Sequence, residues 1–174
     1  FHKDDNVITN KEEVCGNFEK LINLQLKEKH PKSWMRAFFN MGLINYIEGS
    51  RRMLPCQAGE MNFFVEPYGD IYPCNGLEKK YWKKSMGNIR ETPNFKEIWE
   101  GEQAEQVRQM VRRCPKNCWM VGTASPVMHK YIKYPLKWAL KNKLRSLQGK
   151  TACLDKCWYN VGQDPSQGDL RDVF

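Results

Sequence analysis

"CQAGEMNFFVEPYGDIYPCNG", residues 56–76, decides the fold class of this 174-residue chain. Within it "MNFFVEP" and "DIYPC" are short β-prone runs joined by "PYGD", where Gly69 can supply the positive φ that a tight turn needs. A hairpin is the natural reading, and "MGNI" further along adds a third short strand. Cysteines stand at both ends of the hairpin, Cys56 and Cys74, so folding the hairpin brings two sulfurs together.

Upstream the period is helical. In "ITNKEEVCGNFEKLINLQLKEKH", Thr9 precedes Glu12 by the spacing of a capping box. Val14, Phe18, Leu21 and Ile22 follow at helical intervals, Leu24 and Leu26 flank a discordant Gln25, and the helix spans about five turns. Pro31 is expected to end it. Ser33 is the expected cap of a second helix, with Trp34, Ala37, Phe38, Met41, Ile44 and Tyr46 on its apolar side and Gly49 closing it. Downstream, "NFKEIWEGEQAEQVRQMVRR" reads as one helix or two, with Phe95, Ile98, Trp99, Val107, Met110 and Val111 inward. A loop is expected around Cys114 and Cys118, with Pro126 and Pro135 interrupting or starting helices. A basic helix is expected over 135–147, then an irregular tail. The fold class is therefore α+β: a small β-hairpin or short sheet carrying cysteines, flanked by N-terminal and C-terminal α-helices.

With 41% hydrophobic and 12% aromatic residues most of the chain should fold, and with no long apolar run or signal pattern a membrane span and secretion are not expected, which points to the cytoplasm. The chain opens on Phe1 in mid-phrase and reads as a piece of a longer protein. The formal charge of +8 is uneven. Between Gln106 and Cys153 there is no Asp or Glu, whereas Arg108, Arg112, Arg113, Lys116, Lys130, Lys133, Lys137, Lys141, Lys143, Arg145 and Lys150 all lie there. Such a block suits an anionic partner. In "HKYIKYPLKWALKNKLRSLQGK" it suits nucleic acid or an anionic membrane surface, although Leu136, Leu140, Leu144 and Leu147 fit equally a solvated basic helix with one apolar stripe.

Seven cysteines in a reducing compartment favour metal or redox work over disulfides. Cys15, alone within a helix, reads as a small hydrophobe. Cys114 and Cys118 flank "PKN", a span that lets one turn aim both sulfurs at one centre. With Cys56 and Cys74 they make a four-thiolate set, which suits an iron-sulfur cluster or tetrahedral zinc. Cys153 and Cys157 repeat the spacing of Cys114 and Cys118 but do not complete a site by themselves. Acid-base and nucleophilic catalysis find little support, because His2, His30 and His129 lie in separate segments and neither a nucleophile elbow nor a phosphate loop is present.

Cys56, twelve residues, Gly69, four residues and Cys74, followed by "MGNIRETPNFKEIWEG" and "CPKNCW", resemble the SPASM and twitch domains, C-terminal extensions of radical S-adenosylmethionine enzymes. The resemblance covers residues 56–119 and extends loosely to Trp34 and Gly49. It implies an auxiliary [4Fe-4S] cluster on Cys56, Cys74, Cys114 and Cys118, in a domain that caps a catalytic barrel and shapes the substrate end, with electron transfer or a structural, substrate-orienting role for the cluster. Phe64, Tyr72, Trp82 and Trp119 suit an apolar shell round such a cluster, and suit ordinary core packing at least as well. The single CxxxC favours the one-cluster twitch form. The implied layout is a lead-in over 1–50 from the barrel and linker, the auxiliary domain over 51–122, and a basic arm and tail over 123–174. The CxxxCxxC triplet that binds S-adenosylmethionine is absent, with Val121 after Cys118 and Asn160 after Cys157, so the chain alone is expected to be inactive. The implied partners are the missing barrel and a substrate of unknown identity. The competing expectation is a zinc-stabilised module contacting an anionic partner through its basic arm, and aerobic preparation could leave zinc or an empty site.

Overall fold

The computed structural model describes residues 8–50, 52–75, 84–114 and 116–154. Cys157 and Trp82, both named above, lie outside them. In chain order the elements are α1 (Lys11–Lys27), α2 (Pro31–Ile47), β1 (Phe64–Val65), β2 (Asp70–Tyr72), β3 (Gly87–Asn88), α3 (Phe95–Glu100), α4 (Glu102–Arg112), α5 (Val121–Lys130) and α6 (Lys133–Leu147). This is the expected α+β architecture, a small antiparallel sheet with helices before and after it. Of the described residues, those up to Leu54 and those from Met128 to Leu154 form one compact unit and Pro55–Val127 the other. The lead-in helices and α6 thus belong to one unit, and the first residues of the arm, 123–127, to the other.

In the first unit α1 packs on α2, and α6 packs on both. The helix starts differ from the sequence reading. Asn10, not Thr9, caps α1: its Oδ1 accepts from the Glu13 amide at 3.2 Å while Glu13 reaches back to its side-chain amide. The cap is thus one residue later than the expected one, and its return bond comes from the Asn10 side chain rather than from its backbone N–H. Pro31 does not merely end α1 but opens α2 at N1, where its missing N–H costs nothing, so Ser33 lies inside the helix. Gly49 closes α2 as expected, its N–H bonded to the Tyr46 carbonyl.

Ile22 and Leu26 of α1 and Ala37, Phe38, Met41 and Ile44 of α2 are buried, whereas Leu21, Leu24 and Tyr46 are exposed. The discordant Gln25 faces its neighbour, accepting from Asn40 at 2.9 Å. In α6, Trp138 meets Phe38 edge-on at 5.6 Å. The buried Asn142 accepts the Cys153 amide at 2.7 Å, and Asn23 accepts that of Ala152 at 2.8 Å, so side-chain amides fasten the segment after α6. The Lys143 ammonium sits on the α1 C-terminus, donating to the carbonyls of Leu26, Lys27 and Glu28, where the helix dipole favours a cation.

The second unit is built round the three-stranded sheet, order β1-β2-β3. Phe64 pairs with Tyr72 and Val65 with Ile71, while Asp70 pairs with Asn88 and Ile71 with Gly87, all antiparallel. Gly69 has φ +95° at the turn, as the sequence requires, and its N–H donates to Glu66 at 2.9 Å. Ile71, Met86, Ile98, Ala104, Val107 and Val111 form the core under the sheet. The helical stretch is two helices, because Gly101 is extended between them (φ −71°, ψ 157°). Ile98, Val107 and Val111 face inward as expected, but Phe95 and Met110 are exposed. Cys114 and residues 116–120 are irregular, as expected, and α5 then runs with Pro126 inside it rather than being broken there.

Candidate metal centre

Three pieces of the second unit deliver the four cysteines. Pro55 leads into Cys56, and the chain turns at once: the Met61 amide donates to the Gln57 carbonyl at 2.9 Å and the Gly59 amide to the Asn62 carbonyl at 2.8 Å. Asn62 then donates to the Pro73 carbonyl at 3.2 Å, stitching this turn to the residue before Cys74. The hairpin therefore draws its two cysteine-bearing ends together by side-chain bonding as well as by strand pairing. Cys114 follows directly from α4, its N–H on the Val111 carbonyl at 3.0 Å.

Arg108 ties α4 to the Cys56 arm. Its Nε donates to the Gly59 carbonyl at 2.8 Å, its Nη2 to the Trp99 carbonyl, and the guanidinium lies 4.8 Å over the Trp99 ring. Only 12% of this side chain is exposed. Sequence reasoning put Arg108 in the basic block; the structure uses it as an internal strut. One turn on, Arg112 bridges Glu105 at 2.9 Å and Glu60 at 3.3 Å, and its hydrogen bond holds the Glu105 carboxyl below the usual carboxylate range.

Cys56 and Cys74 pack against the core of this unit beside Tyr72. Burial pushes the Cys114 thiol up to about 11; a hydrogen bond from the Lys116 backbone opposes this, and charge on Cys56, Cys118 and Cys74 raises it further. Among the described residues, no group of three or more His, Cys, Asp or Glu is arranged to hold a single metal ion. Trp119 is buried and Tyr72 half-buried, whereas Phe64, expected in the same apolar shell, is 41% exposed. Cys153 stands in the first unit beside α6, and Cys15 is half-buried on α1.

Residues 56–120 match the SPASM family, an iron-sulfur cluster-binding domain. The comparisons with curated proteins and with solved structures found no match. The SPASM segment begins at Cys56 and ends two residues after Cys118, so it contains all four thiols and the sheet, strut and helices that position them. Four cysteines in this segment, with Cys114 half-buried and Cys56 and Cys74 set against an apolar core, have the donor chemistry that an iron-sulfur cluster takes.

Proposed function

We propose that the SPASM segment holds a [4Fe-4S] cluster on Cys56, Cys74, Cys114 and Cys118, and that the chain serves as the auxiliary-cluster, C-terminal part of a radical S-adenosylmethionine oxidoreductase or maturase. The family match over residues 56–120 carries this reading. When bound, such a cluster supplies one-electron transfer or a fixed site at the substrate end.

The residues themselves divide the work. The Asn62 bond to Pro73 ties the turn after Cys56 to the residue before Cys74, and the Arg108 bond to Gly59 ties that turn to α4, the helix before Cys114; these ties support a shared site. The half-buried Tyr72 packs on the core beside Cys56 and Cys74, and Trp119 next to Cys118 in sequence is buried, which supports a sheltered site. Four protein thiolates leave no open coordination position, so the protein shapes and tunes its surroundings and substrate is not ligated. The Cys114 thiol must give up its proton on loading, so uptake of iron is expected to weaken as pH falls. The S-adenosylmethionine and the substrate belong, in this reading, to a barrel outside this chain, and the cytoplasm is the compartment that suits a cysteine-bound cluster of this kind.

A zinc-stabilised module is the second reading, because four cysteines suit tetrahedral zinc. A zinc ion would need its sulfurs drawn to about 3.8 Å from one another, from a Zn–S bond of about 2.3 Å. Anaerobic reconstitution with iron and sulfide decides between them. The cluster reading expects a brown protein whose visible absorption bleaches on reduction and which forms no 5′-deoxyadenosine from S-adenosylmethionine alone. A colourless protein that takes up zinc and no sulfide would replace it with the module.

A further inference from the structure

The side of α6 turned away from its packed face carries a row of leucines. Leu136, Leu140, Leu144 and Leu147 are 44%, 47%, 61% and 71% exposed. Their spacing of three and four residues sets them on one stripe. The buried residues of α6, Pro135, Trp138, Ala139 and Asn142, lie roughly 150° around the helix from that stripe at 100° per residue. The apolar row is therefore additional to the core-facing one.

Beside it runs a second row, Lys133, Lys137 and Lys141, all exposed. Among the described residues none of the three is in an ion pair. Lys143 is excluded from this row, since its ammonium is engaged by the α1 carbonyls. No acidic residue lies between Gln106 and Cys153, so α6 itself carries charge of one sign.

We propose that this face of α6 docks on an anionic phospholipid surface, the helix lying along it with the four leucines at the acyl boundary and Lys133, Lys137 and Lys141 on headgroup phosphates. Composition selects this occupant. Cores of protein interfaces are enriched in aromatic residues, Met and Arg and depleted of Lys, the reverse of a leucine row edged by lysines. Single-stranded nucleic acid wants aromatic platforms between its cations, and here the centre of the face is aliphatic. An amphipathic helix with Lys on its flank and Leu on its face is the pattern of an interfacial helix. Among the described residues no helix is long and apolar enough to cross a membrane, so α6 would lie on the surface.

The test is flotation of the full chain with vesicles of phosphatidylcholine and phosphatidylglycerol in equal parts. Binding at low salt that falls steeply as salt is raised, and little binding to pure phosphatidylcholine, are expected. Lys137→Gln with Lys141→Gln should weaken binding about 25-fold, about fivefold per charge, and the paired Arg substitutions should restore it. Leu140→Ser with Leu144→Ser should also abolish flotation while leaving the helical circular dichroism intact, because these side chains lie outside the core. Should that pair fail to fold, the lysine pair still decides. Absence of binding to the anionic vesicles at low salt, binding indifferent to the lysines, a leucine-dependent dimer in solution, or duplex or single-stranded nucleic acid bound with the same lysine dependence would each overturn the proposal.

Discussion

Replacing Gly87 by alanine should be among the most damaging single-methyl additions in the second unit. Gly87 sits in β3 opposite Ile71 with φ +147°, a region closed to side chains, and holding a non-glycine residue there costs about 1–3 kcal/mol. A Cβ built on it would stand 2.6 Å from Ile98 Cγ2, about 1 Å inside ordinary carbon contact. Ile98 is 6% exposed and shares a core with Ile71, Met86 and Val107, so it has little room to retreat, and overpacking of this kind costs about 1–3 kcal/mol. The two together give roughly 2–6 kcal/mol, a large share of a typical total stability of about 5–15 kcal/mol. Urea unfolding of the metal-free chain, followed by circular dichroism, reads this as a fall in midpoint at unchanged slope. The steric part is separable: Ile98→Ala alone should cost about 2–5 kcal/mol, but in the double variant the methyl gains space, so the losses should fall short of additive by about 1 kcal/mol or more. A change below about 0.5 kcal/mol for Gly87→Ala, or strict additivity with Ile98→Ala, would refute the packing described for this sheet and helix.

Arg108→Met should cost about 2–4 kcal/mol in the same assay, since two carbonyls lose charge-assisted donors in a mostly buried setting, and high salt should not mimic it. In the metal-free protein the Cys114 thiol keeps its proton up to about 11 while the unfolded chain releases it near 9.0. Between those values the unfolded state binds fewer protons, so stability should fall as pH rises from about 9 to about 11, by roughly 1–3 kcal/mol, with no contribution from this group at lower pH. The difference between wild type and Cys114→Ser in denaturant titrations across that window isolates the group from lysines and tyrosines. Asn10→Ala should lower thermal stability by the equivalent of about 1 kcal/mol and Thr9→Ala by almost nothing; the reverse order would restore Thr9 as the cap.

Much of the architecture was legible because its signals are local. The period change after Cys56 and the glycine in "PYGD" specify a hairpin whatever surrounds it, and the structure has it with Gly69 at positive φ. Pro126 shows the opposite case, a nominal breaker accommodated within α5. What sequence could not supply was the identity of buried faces and the work of individual cations. Tyr46, Phe95 and Met110 sit at helical spacing yet are exposed, because the neighbouring elements cover only part of each apolar arc. Arg108 and Lys143 look alike in the basic block; one is a strut between a turn and Trp99, the other caps α1. Their partners are 49 and 117 residues away, separations no local pattern reports. The SPASM segment was readable from spacing and resemblance, while the partial burial that raises the Cys114 thiol came only with the loop that follows α4.

Iron and acid-labile sulfide analysis of anaerobically reconstituted protein, wild type and single Cys→Ser variants, decides whether these cysteines hold a cluster. The expected outcome is iron and sulfide in equal amounts, lost together in Cys56→Ser, Cys74→Ser, Cys114→Ser and Cys118→Ser and retained in Cys15→Ser and Cys153→Ser. Zinc without sulfide, or a full complement of iron and sulfide after removal of Cys74 and Cys114 together, would contradict it.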